Sequence, residues 1–188
     1  MKKTVMTAQK LPNRYHMASI SLHWLMLILF VVVYASIELR GLFEKGTAER
    51  ETMKSLHFMF GLLVFFLVWL RLALRIKYAA PRIKPAMPRW QALAATLMHV
   101  LLYVLMIGMP LAGWLMLSAY GKPIPFFGLE LPALMGPDKP LGGQIKEVHE
   151  LVGTIGYFLI GTHAAAALFH HYLKRDNTLR AMLPTTPA

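Results

Sequence analysis

The fold is decided by residues 148–172, which read VHELVGTIGYFLIGTHAAAALFHHY. This stretch contains no lysine or arginine, and Glu150 is its one acidic residue. A helix needs roughly 20 mostly apolar residues to cross the hydrocarbon core of a bilayer, and this stretch is long enough. Because hydrocarbon offers no hydrogen-bonding partners, the backbone amides must pair within the segment, which predicts a transmembrane α-helix.

Three further apolar stretches have the same character, and they lie at residues 19–37, 55–74 and 90–117. Together with residues 148–172 they predict an all-α membrane protein, a four-helix transmembrane bundle formed by one transmembrane domain over residues 1–188. Pro110 lies inside the third stretch and predicts a kink there. The connection Ser118–Lys146 is rich in proline and glycine, which predicts an irregular cap over one end of the bundle.

The composition excludes several classes of protein. Of the 188 residues, 56% are hydrophobic and only 15% are charged, which excludes a soluble globular enzyme. The absence of cysteine excludes disulfides, iron–sulfur clusters, zinc fingers and haem attached through a Cys-x-x-Cys-His motif. The apolar core of the first stretch exceeds the roughly 7–15 residues of a signal-peptide core, so we expect an uncleaved helix.

The formal net charge of +11 indicates membrane orientation and not nucleic-acid binding, because the basic residues lie between the apolar stretches. One side of the membrane receives 13 lysines and arginines and the other receives 7. The larger group consists of Lys2, Lys3, Lys10, Arg14, Arg71, Arg75, Lys77, Arg82, Lys84, Arg89, Lys174, Arg175 and Arg180. Positively charged loops stay inside, which predicts cytoplasmic termini, and a small all-helical chain of this kind fits a bacterial inner membrane.

Eight histidines are the chemical signal of this chain, because an imidazole inside a bilayer is costly unless it is paired or liganded. His149 and His163 lie on the fourth helix, about 21 Å apart along its axis and within roughly 40° of one face. His57 enters its helix from the same end as His149, and His23 enters from the same end as His163. Matching by depth therefore predicts two facing pairs, His57 with His149 and His23 with His163.

Two imidazoles on opposite faces of a porphyrin give six-coordinate haem iron, which suits electron transfer because no position is left for oxygen. Gly61, Gly153 and Gly156 leave clearance beside these positions for a flat, bulky cofactor. The pattern favours two b-type haems with His/His ligands over a His/Met set. A catalytic zinc would need three ligands at one depth. The outer end offers only two histidines and loop acids such as Glu147 and Glu150, so the sequence favours haem over zinc.

The chain resembles the bacterial di-haem cytochrome b561 family in motifs that span nearly its whole length. The motifs are Ser21-Leu22-His23-Trp24-Leu25, Leu56-His57 with Gly61, Arg71 through Tyr78, Gly161-Thr162-His163-Ala164, His170-His171-Tyr172 and Asp176-Asn177-Thr178-Leu179. The resemblance implies the same histidine pairs that depth predicts. It also implies electron exchange with ubiquinone, and one family member acts as a superoxide oxidase that passes electrons from superoxide outside to quinone.

His99 and His170 lie near the inner pair, and the resemblance points to both positions as a quinone site. Reduction of a quinone needs donors on two carbonyl oxygens and two protons, which histidines near neutral pKa can supply. Alternatively, His170 is an interfacial polar residue and His99 hydrogen-bonds a helix that carries a ligand. Arg71 and Arg75 at the same end could pair with haem propionates or act only as orientation signals.

At the outer end, Arg50, Lys54 and Lys146 flank the outer pair, where they could steer a small anion such as superoxide. The sequence thus predicts a di-haem cytochrome b that carries electrons between an outer one-electron donor and ubiquinone in the lipid membrane, without nucleic acid as a partner. Two alternatives stay open. One is a haem-bearing anchor subunit of a periplasmic dehydrogenase or hydrogenase, and the other is a non-redox metal transporter.

Overall fold

Four long helices contain most of residues 12–184, which are the residues that the computed structural model describes. They are α1 (Met17–Leu39), α2 (Ala48–Lys77), α3 (Arg89–Ala119) and α4 (Lys139–Phe169). All four are long and apolar enough to cross a membrane, which confirms the predicted helical transmembrane fold. Three lysines that entered the orientation argument, Lys2, Lys3 and Lys10, lie outside the described residues.

α2 and α4 begin several residues before the apolar stretches that predict them, because polar residues cap and extend both helices. The Thr47 side chain accepts a hydrogen bond from the N–H of Arg50, and Asp138 accepts one from the N–H of Leu141. Pro140 lies in the first turn of α4, where a helix has no use for its missing N–H. These first turns extend α2 and α4 beyond their apolar stretches.

α3 continues through Pro110 as a single helix from Arg89 to Ala119. A proline inside a helix removes one backbone hydrogen bond, and neighbouring helices make this tolerable within a membrane. The kink at Pro110 stays a prediction.

The connection between α3 and α4 is more ordered than the expected irregular cap over Ser118–Lys146. It contains a two-stranded antiparallel hairpin of β1 (Ile124–Phe126) and β2 (Leu129–Leu131). The residues after Asp138 already belong to α4. The expectation of an irregular cap was therefore wrong in part. Gly128 lies in the tight turn of the hairpin, and Pro140 lies in the first turn of α4.

The helices pack mainly as two pairs, α1 along α2 and α3 along α4, and α2 also packs on α3. A central cluster of buried side chains joins the first three helices: Leu22, Met26, Leu29, Val64, Val68 and Met106. α4 is the least covered helix, since only 6% of its apolar window is buried inside the protein. Its remaining surface is left for lipid or for a group held between the helices.

The bundle has two chemically different ends. We call the end with the α1–α2 connection and the β-hairpin the hairpin end, and the opposite end, with residues 12–16 and the α2–α3 connection, the terminal end. After α4 the chain forms a π-helical turn, His170–Lys174, and reverses at Arg175, whose φ is +55°. Residues 176–183 then fold across the terminal end as a C-terminal strap, which accepts a 2.8 Å hydrogen bond from Trp24 Nε1 at the carbonyl of Met182.

Candidate functional site

The hairpin-end pair consists of His57 on α2 and His149 on α4, whose ring centres are 6.2 Å apart. Nδ1 of His57 donates to the carbonyl of Val33 at 2.9 Å, so Nε2 keeps its lone pair for a metal ion. Nδ1 of His149 is buried and makes no hydrogen bond of ordinary geometry with the described residues, although the ring lies beside the backbone of Met109 on α3. Gly113 lies beside this ring, and a Cβ there would be in van der Waals contact with Cε1 of His149 at 3.4 Å.

The terminal-end pair consists of His23 on α1 and His163 on α4, with ring centres 6.3 Å apart. Arg71 on α2 lies beside it, with Nη2 3.1 Å from Nδ1 of His23. His99 on α3 lies closer still, since its ring centre is 5.5 Å from that of His163. Three helices therefore contribute a histidine to this end, as the predicted depths of His23, His99 and His163 required.

The spacing in both pairs fits two imidazoles on one metal ion. A metal–imidazole bond is about 2 Å long and a ring nitrogen lies about 1 Å from its ring centre, so trans ligands have ring centres about 6 Å apart. The observed distances of 6.2 and 6.3 Å match this geometry. Residues 12–184 contain no group of three or more histidine or carboxylate side chains that could hold a metal ion.

A cavity of about 460 Å³ adjoins the hairpin-end pair and is lined by both of its histidines. The walls are mostly apolar, and the volume lies within the range of about 300–1,000 Å³ of ligand pockets. Charged residues also line it: Glu38, Arg40, Lys54, Lys122, Lys146 and Glu150. The cavity thus combines two imidazoles, apolar walls and basic groups, which suits a flat apolar cofactor that carries acidic substituents.

Two of the three predicted glycines line this cavity. Gly61 and Gly153 belong to its wall, and a Cβ at Gly61 would meet nothing within 4 Å. Gly156 has a different neighbour, because a Cβ there would collide with the hydroxyl of Tyr34. That hydroxyl donates to the carbonyl of Gly153 at 3.0 Å. Gly156 therefore makes room for a tyrosine that connects α1 to α4, a packing role that spacing alone did not predict.

His170 pairs with an acidic residue that the sequence analysis missed. Its Nδ1 lies 2.5 Å from Oδ2 of Asp176, whose side chain is buried, and the N–H of Thr178 donates to Oδ1 at 2.9 Å. Burial raises the pKa of the Asp176 carboxyl, but the hydrogen bonds from His170 and Thr178 outweigh it and hold the pKa below its usual value. The available signal was that Asp176 is the one acidic residue near the terminal end.

The three basic residues expected to steer an anion have partners of their own. Arg50 donates to the carbonyls of Arg40 and Phe43 at 3.0 and 2.8 Å, which braces the α1–α2 connection. The two lysines pair with acidic residues of their own helices, Lys54 with Glu51 at 2.5 Å and Lys146 with Glu150 at 3.0 Å. Lys54 and Lys146 still line the cavity, whereas Arg50 does not.

Membrane-spanning helices that bring histidines into facing pairs define a class, the membrane-bound haem proteins of cytochrome b type. A sequence model of the prokaryotic cytochrome b561 family matches residues 14–185. Cytochrome b561 homolog 1 of Escherichia coli K12 is 41% identical over 172 residues, covering 92% of this chain and 98% of that protein. The probable superoxide oxidase CybB of Yersinia pestis is 34% identical over 175 residues, with 92% and 97% covered. Cytochrome b561 homolog 2 of Escherichia coli K12 is 29% identical over 177 residues, with 92% of each chain covered.

The chain belongs to the prokaryotic cytochrome b561 family. It is therefore a multi-pass protein of the bacterial inner membrane that binds haem b and takes part in electron transfer.

Proposed function

We propose that the chain is a single transmembrane domain that holds two haem b groups and transfers electrons from a donor at the hairpin end to ubiquinone at the terminal end. His57 and His149 hold one haem, and His23 and His163 hold the other. The observation that carries the proposal is the spacing of the two pairs, 6.2 and 6.3 Å between ring centres. One helix, α4, supplies a histidine to each pair.

Haem b would supply reversible one-electron chemistry, and His57 with His149 and His23 with His163 are the residues that would hold it. The chain's part is to hold and orient the imidazoles. The hydrogen bond from His57 to the Val33 carbonyl fixes that ring and makes Nε2 the ligand atom. The wall glycines Gly61 and Gly153 leave the space that the cofactor ring needs.

Arg71 would change partner if His23 held the haem through Nε2. The one ring proton of His23 would then lie on Nδ1, 3.1 Å from the Nη2 donor of Arg71. Two donors repel each other, so the guanidinium would turn to an acceptor. A haem propionate is the acceptor that this proposal supplies, and arginine pairs well with carboxylates.

His170 and His99 serve ubiquinone at the terminal end in this proposal. With Nδ1 of His170 hydrogen-bonded to Asp176, Nε2 remains available for a quinone carbonyl. The contact with the Asp176 carboxylate also fixes the orientation of the His170 ring. The ring centre of His99 lies 5.5 Å from that of His163. In this proposal His99 binds the second carbonyl of the quinone, beside the haem ligand His163.

Superoxide is the donor that we propose for the hairpin end. The name of one relative, the probable superoxide oxidase CybB of Yersinia pestis, supports this choice. Four basic residues line the cavity beside the His57–His149 pair, and they outnumber the two acidic residues there. This donor lies outside the cytoplasm, so the proposal includes cytoplasmic termini, in agreement with the excess of lysine and arginine at the terminal end.

The test is haem content and the reduced-minus-oxidised spectrum of the detergent-purified full chain, followed by the same spectrum after a superoxide source is added with and without a soluble ubiquinone. We expect two low-spin haems b per chain, reduced by superoxide and reoxidised by the quinone. Superoxide dismutase should abolish the reduction, which controls for other reductants in the assay.

Each other outcome removes a stated part of the proposal. Two haems that ignore superoxide would overturn the donor and favour a haem-bearing anchor subunit of a periplasmic dehydrogenase or hydrogenase. One haem per chain would overturn one histidine pair. A colourless protein expressed with haem supply would overturn both pairs and favour a metal transporter.

A further inference from the structure

The β-hairpin between α3 and α4 folds along α2 instead of standing away from the bundle. The ring of Phe126 lies 5.3 Å from that of Phe66, and the ring of Phe127 lies 5.4 Å from that of Phe60. At the base of the hairpin, Ile124 is buried in a cluster with Leu62 of α2 and Leu117 of α3. The hairpin is therefore packed along α2, with its base against both α2 and α3.

The contacted phenylalanines lie well inside the apolar part of α2. No charged residue occurs between Lys54 and Arg71. At 1.5 Å per residue, Phe60 lies about 9 Å and Phe66 about 18 Å past Lys54 along the helix axis. Side chains lean back towards the N-terminus of their helix, here the hairpin end, which shortens both depths but leaves the rings below the level of Lys54.

The tip of the hairpin exposes apolar side chains that no other part of the described chain covers. Phe127 is 50% exposed and Leu129 is 67% exposed. Phe127 and Gly128 form the two-residue turn with φ of +47° and +85°, the pattern of a type I′ turn. Asparagine is the favoured residue at the position of Phe127, since positive φ strains other side chains. A phenylalanine there is thus unfavourable in water both for its backbone and for its exposed ring.

The irregular backbone of this segment is hydrogen-bonded by side chains, as backbone at membrane depth must be. The N–H of Phe127 donates to Sδ of Met59 at 3.3 Å, and the N–H of Leu134 donates to the Ser118 hydroxyl at 3.0 Å. Trp114 Nε1 donates to the carbonyl of Pro132 at 3.0 Å. A loop in water has no need of a thioether acceptor, because water satisfies its amides.

We propose that the hairpin tip, residues 126–129, inserts into the acyl chains of the bilayer leaflet at the hairpin end, so that membrane lipid covers Phe127 and Leu129. Each strand has three residues and spans about 10 Å. The tip can therefore lie among the acyl chains while charged residues near the start of the hairpin stay at the level of the lipid headgroups. Lys122, just before β1, is such a residue. Glu130, in the middle of β2, alternates to the opposite face of the strand from Leu129 and lines a pocket together with Lys122. The proposal does not depend on the haem assignment or on the electron donor.

The absence of cysteine allows a direct test with single-cysteine variants. Leu129→Cys is labelled with the environment-sensitive dye NBD and the full chain is reconstituted into phosphatidylcholine vesicles. Lys45→Cys, in the exposed α1–α2 connection at the same end, is the matched aqueous control, and Val104→Cys on the exposed face of α3 is the membrane control. We expect the dye at position 129 to emit as at position 104 and to be quenched several-fold more by acyl-chain nitroxide lipids than at position 45.

A second comparison separates insertion from simple surface contact. In the Leu129→Cys background, Phe127→Trp should keep the nitroxide quenching, whereas Phe127→Asn should lower it several-fold while relieving turn strain. Aqueous iodide quenching at position 129 equal to that at position 45 would overturn the proposal. Protection of position 129 from both iodide and nitroxide lipids would also overturn it, because a protein partner would then cover the tip.

Discussion

The histidines proposed as ligands differ in what their second ring nitrogen contacts. His57 donates to the main-chain carbonyl of Val33, which moves only with α1 itself, whereas His23 contacts the long side chain of Arg71. Nδ1 of His149 makes no hydrogen bond of ordinary geometry with the described residues, and the backbone nearest to that ring belongs to Met109. A hydrogen bond to the second ring nitrogen tunes how tightly the ring binds a metal. We therefore expect the two histidine pairs to differ in their affinity for haem. The pairing itself was predictable from helical depth, but these partners were not, since they depend on which backbone lies beside each ring.

We expect His57→Ala and His149→Ala to remove the same haem, and His23→Ala and His163→Ala to remove the other, because each haem needs both of its axial ligands. Haem per chain should fall by about half in each single variant. Haem extraction assays with low-temperature spectra of the α-band measure both the amount and the component lost. His171→Ala is the control and should keep both haems.

His99 is an alternative partner of His163 in the terminal-end pair, and variants of His99 and His23 distinguish the two assignments. His99 lies closer to His163 than His23 does, at 5.5 Å against 6.3 Å between ring centres. If His99→Ala removes a haem and His23→Ala does not, the ligand of the terminal-end haem is His99. Full haem content in all four ligand variants would refute both pairs.

Asp176 connects stability to pH at the terminal end. Burial raises the pKa of its carboxyl, but hydrogen bonds from His170 and Thr178 hold the pKa below the usual 3.8. A lowered folded pKa means that the carboxylate stabilises the fold at pH above 3.8, and that this stabilisation is lost as the pH falls through the lower folded value. Asp176→Asn should therefore lower the thermal stability at pH 7, by about 1–3 kcal/mol for a buried charged hydrogen bond.

Thermal unfolding of the detergent-purified wild type and Asp176→Asn across pH measures this effect, with Asp138→Asn at the other end as the control. The difference between wild type and Asp176→Asn should shrink at pH below 3.8. A difference that stays constant with pH would show that packing and not charge explains it. If His170 acts through Asp176 on ubiquinone, the same variant should slow quinone reduction while haem content stays unchanged.

The helices show where sequence patterns stop being informative. Their apolar centres were predictable, because a bilayer demands a long apolar stretch. Their ends were not, since Thr47 and Asp138 start α2 and α4 from polar residues in water. The hairpin was missed because its turn, Phe127-Gly128, lacks the usual Asn-Gly signal. The Asp176–His170 contact was missed because it crosses a π-helical turn instead of following helical spacing.

α4 depends on few direct contacts to the α1–α2 pair, and Gly156 controls one of them. The hydroxyl of Tyr34 reaches over Gly156 to the carbonyl of Gly153. Gly156→Ala should destabilise the protein by about 1–3 kcal/mol, because its Cβ would displace this hydroxyl from a packed interface. Thermal unfolding of the apo and haem-loaded protein measures the loss.

A double variant identifies the clash as its cause. Tyr34→Phe removes the colliding atom, so Gly156→Ala combined with Tyr34→Phe should lose less stability than the two single losses added together. Gly108→Ala is the control, since a Cβ there would meet nothing within 4 Å. Additive losses would mean that another neighbour, such as Leu105, takes the strain.

The whole molecule is asymmetric across the membrane, and the proposed direction of electron flow depends on that asymmetry. Among residues 12–184, the terminal end and the α2–α3 connection have 10 lysines and arginines against 7 at the hairpin end, and eight of the nine acidic residues lie at the hairpin end. Short basic loops remain on the cytoplasmic side during insertion. The helical fold alone is compatible with either orientation, so this part of the argument comes from charge.

We expect a membrane-impermeant maleimide to label Lys45→Cys in cells with a permeabilised outer membrane and to label Lys84→Cys only after the inner membrane is disrupted. Both positions are exposed, so access to the reagent and not burial decides the result. The cysteine-free parent chain is the control for background labelling. The reverse pattern would turn the His57–His149 pair towards the cytoplasm and the His170–Asp176 pair outwards. A donor outside the cell could then reach only the His23–His163 end, and the proposed path from superoxide to ubiquinone would have to be abandoned even if both haems were present.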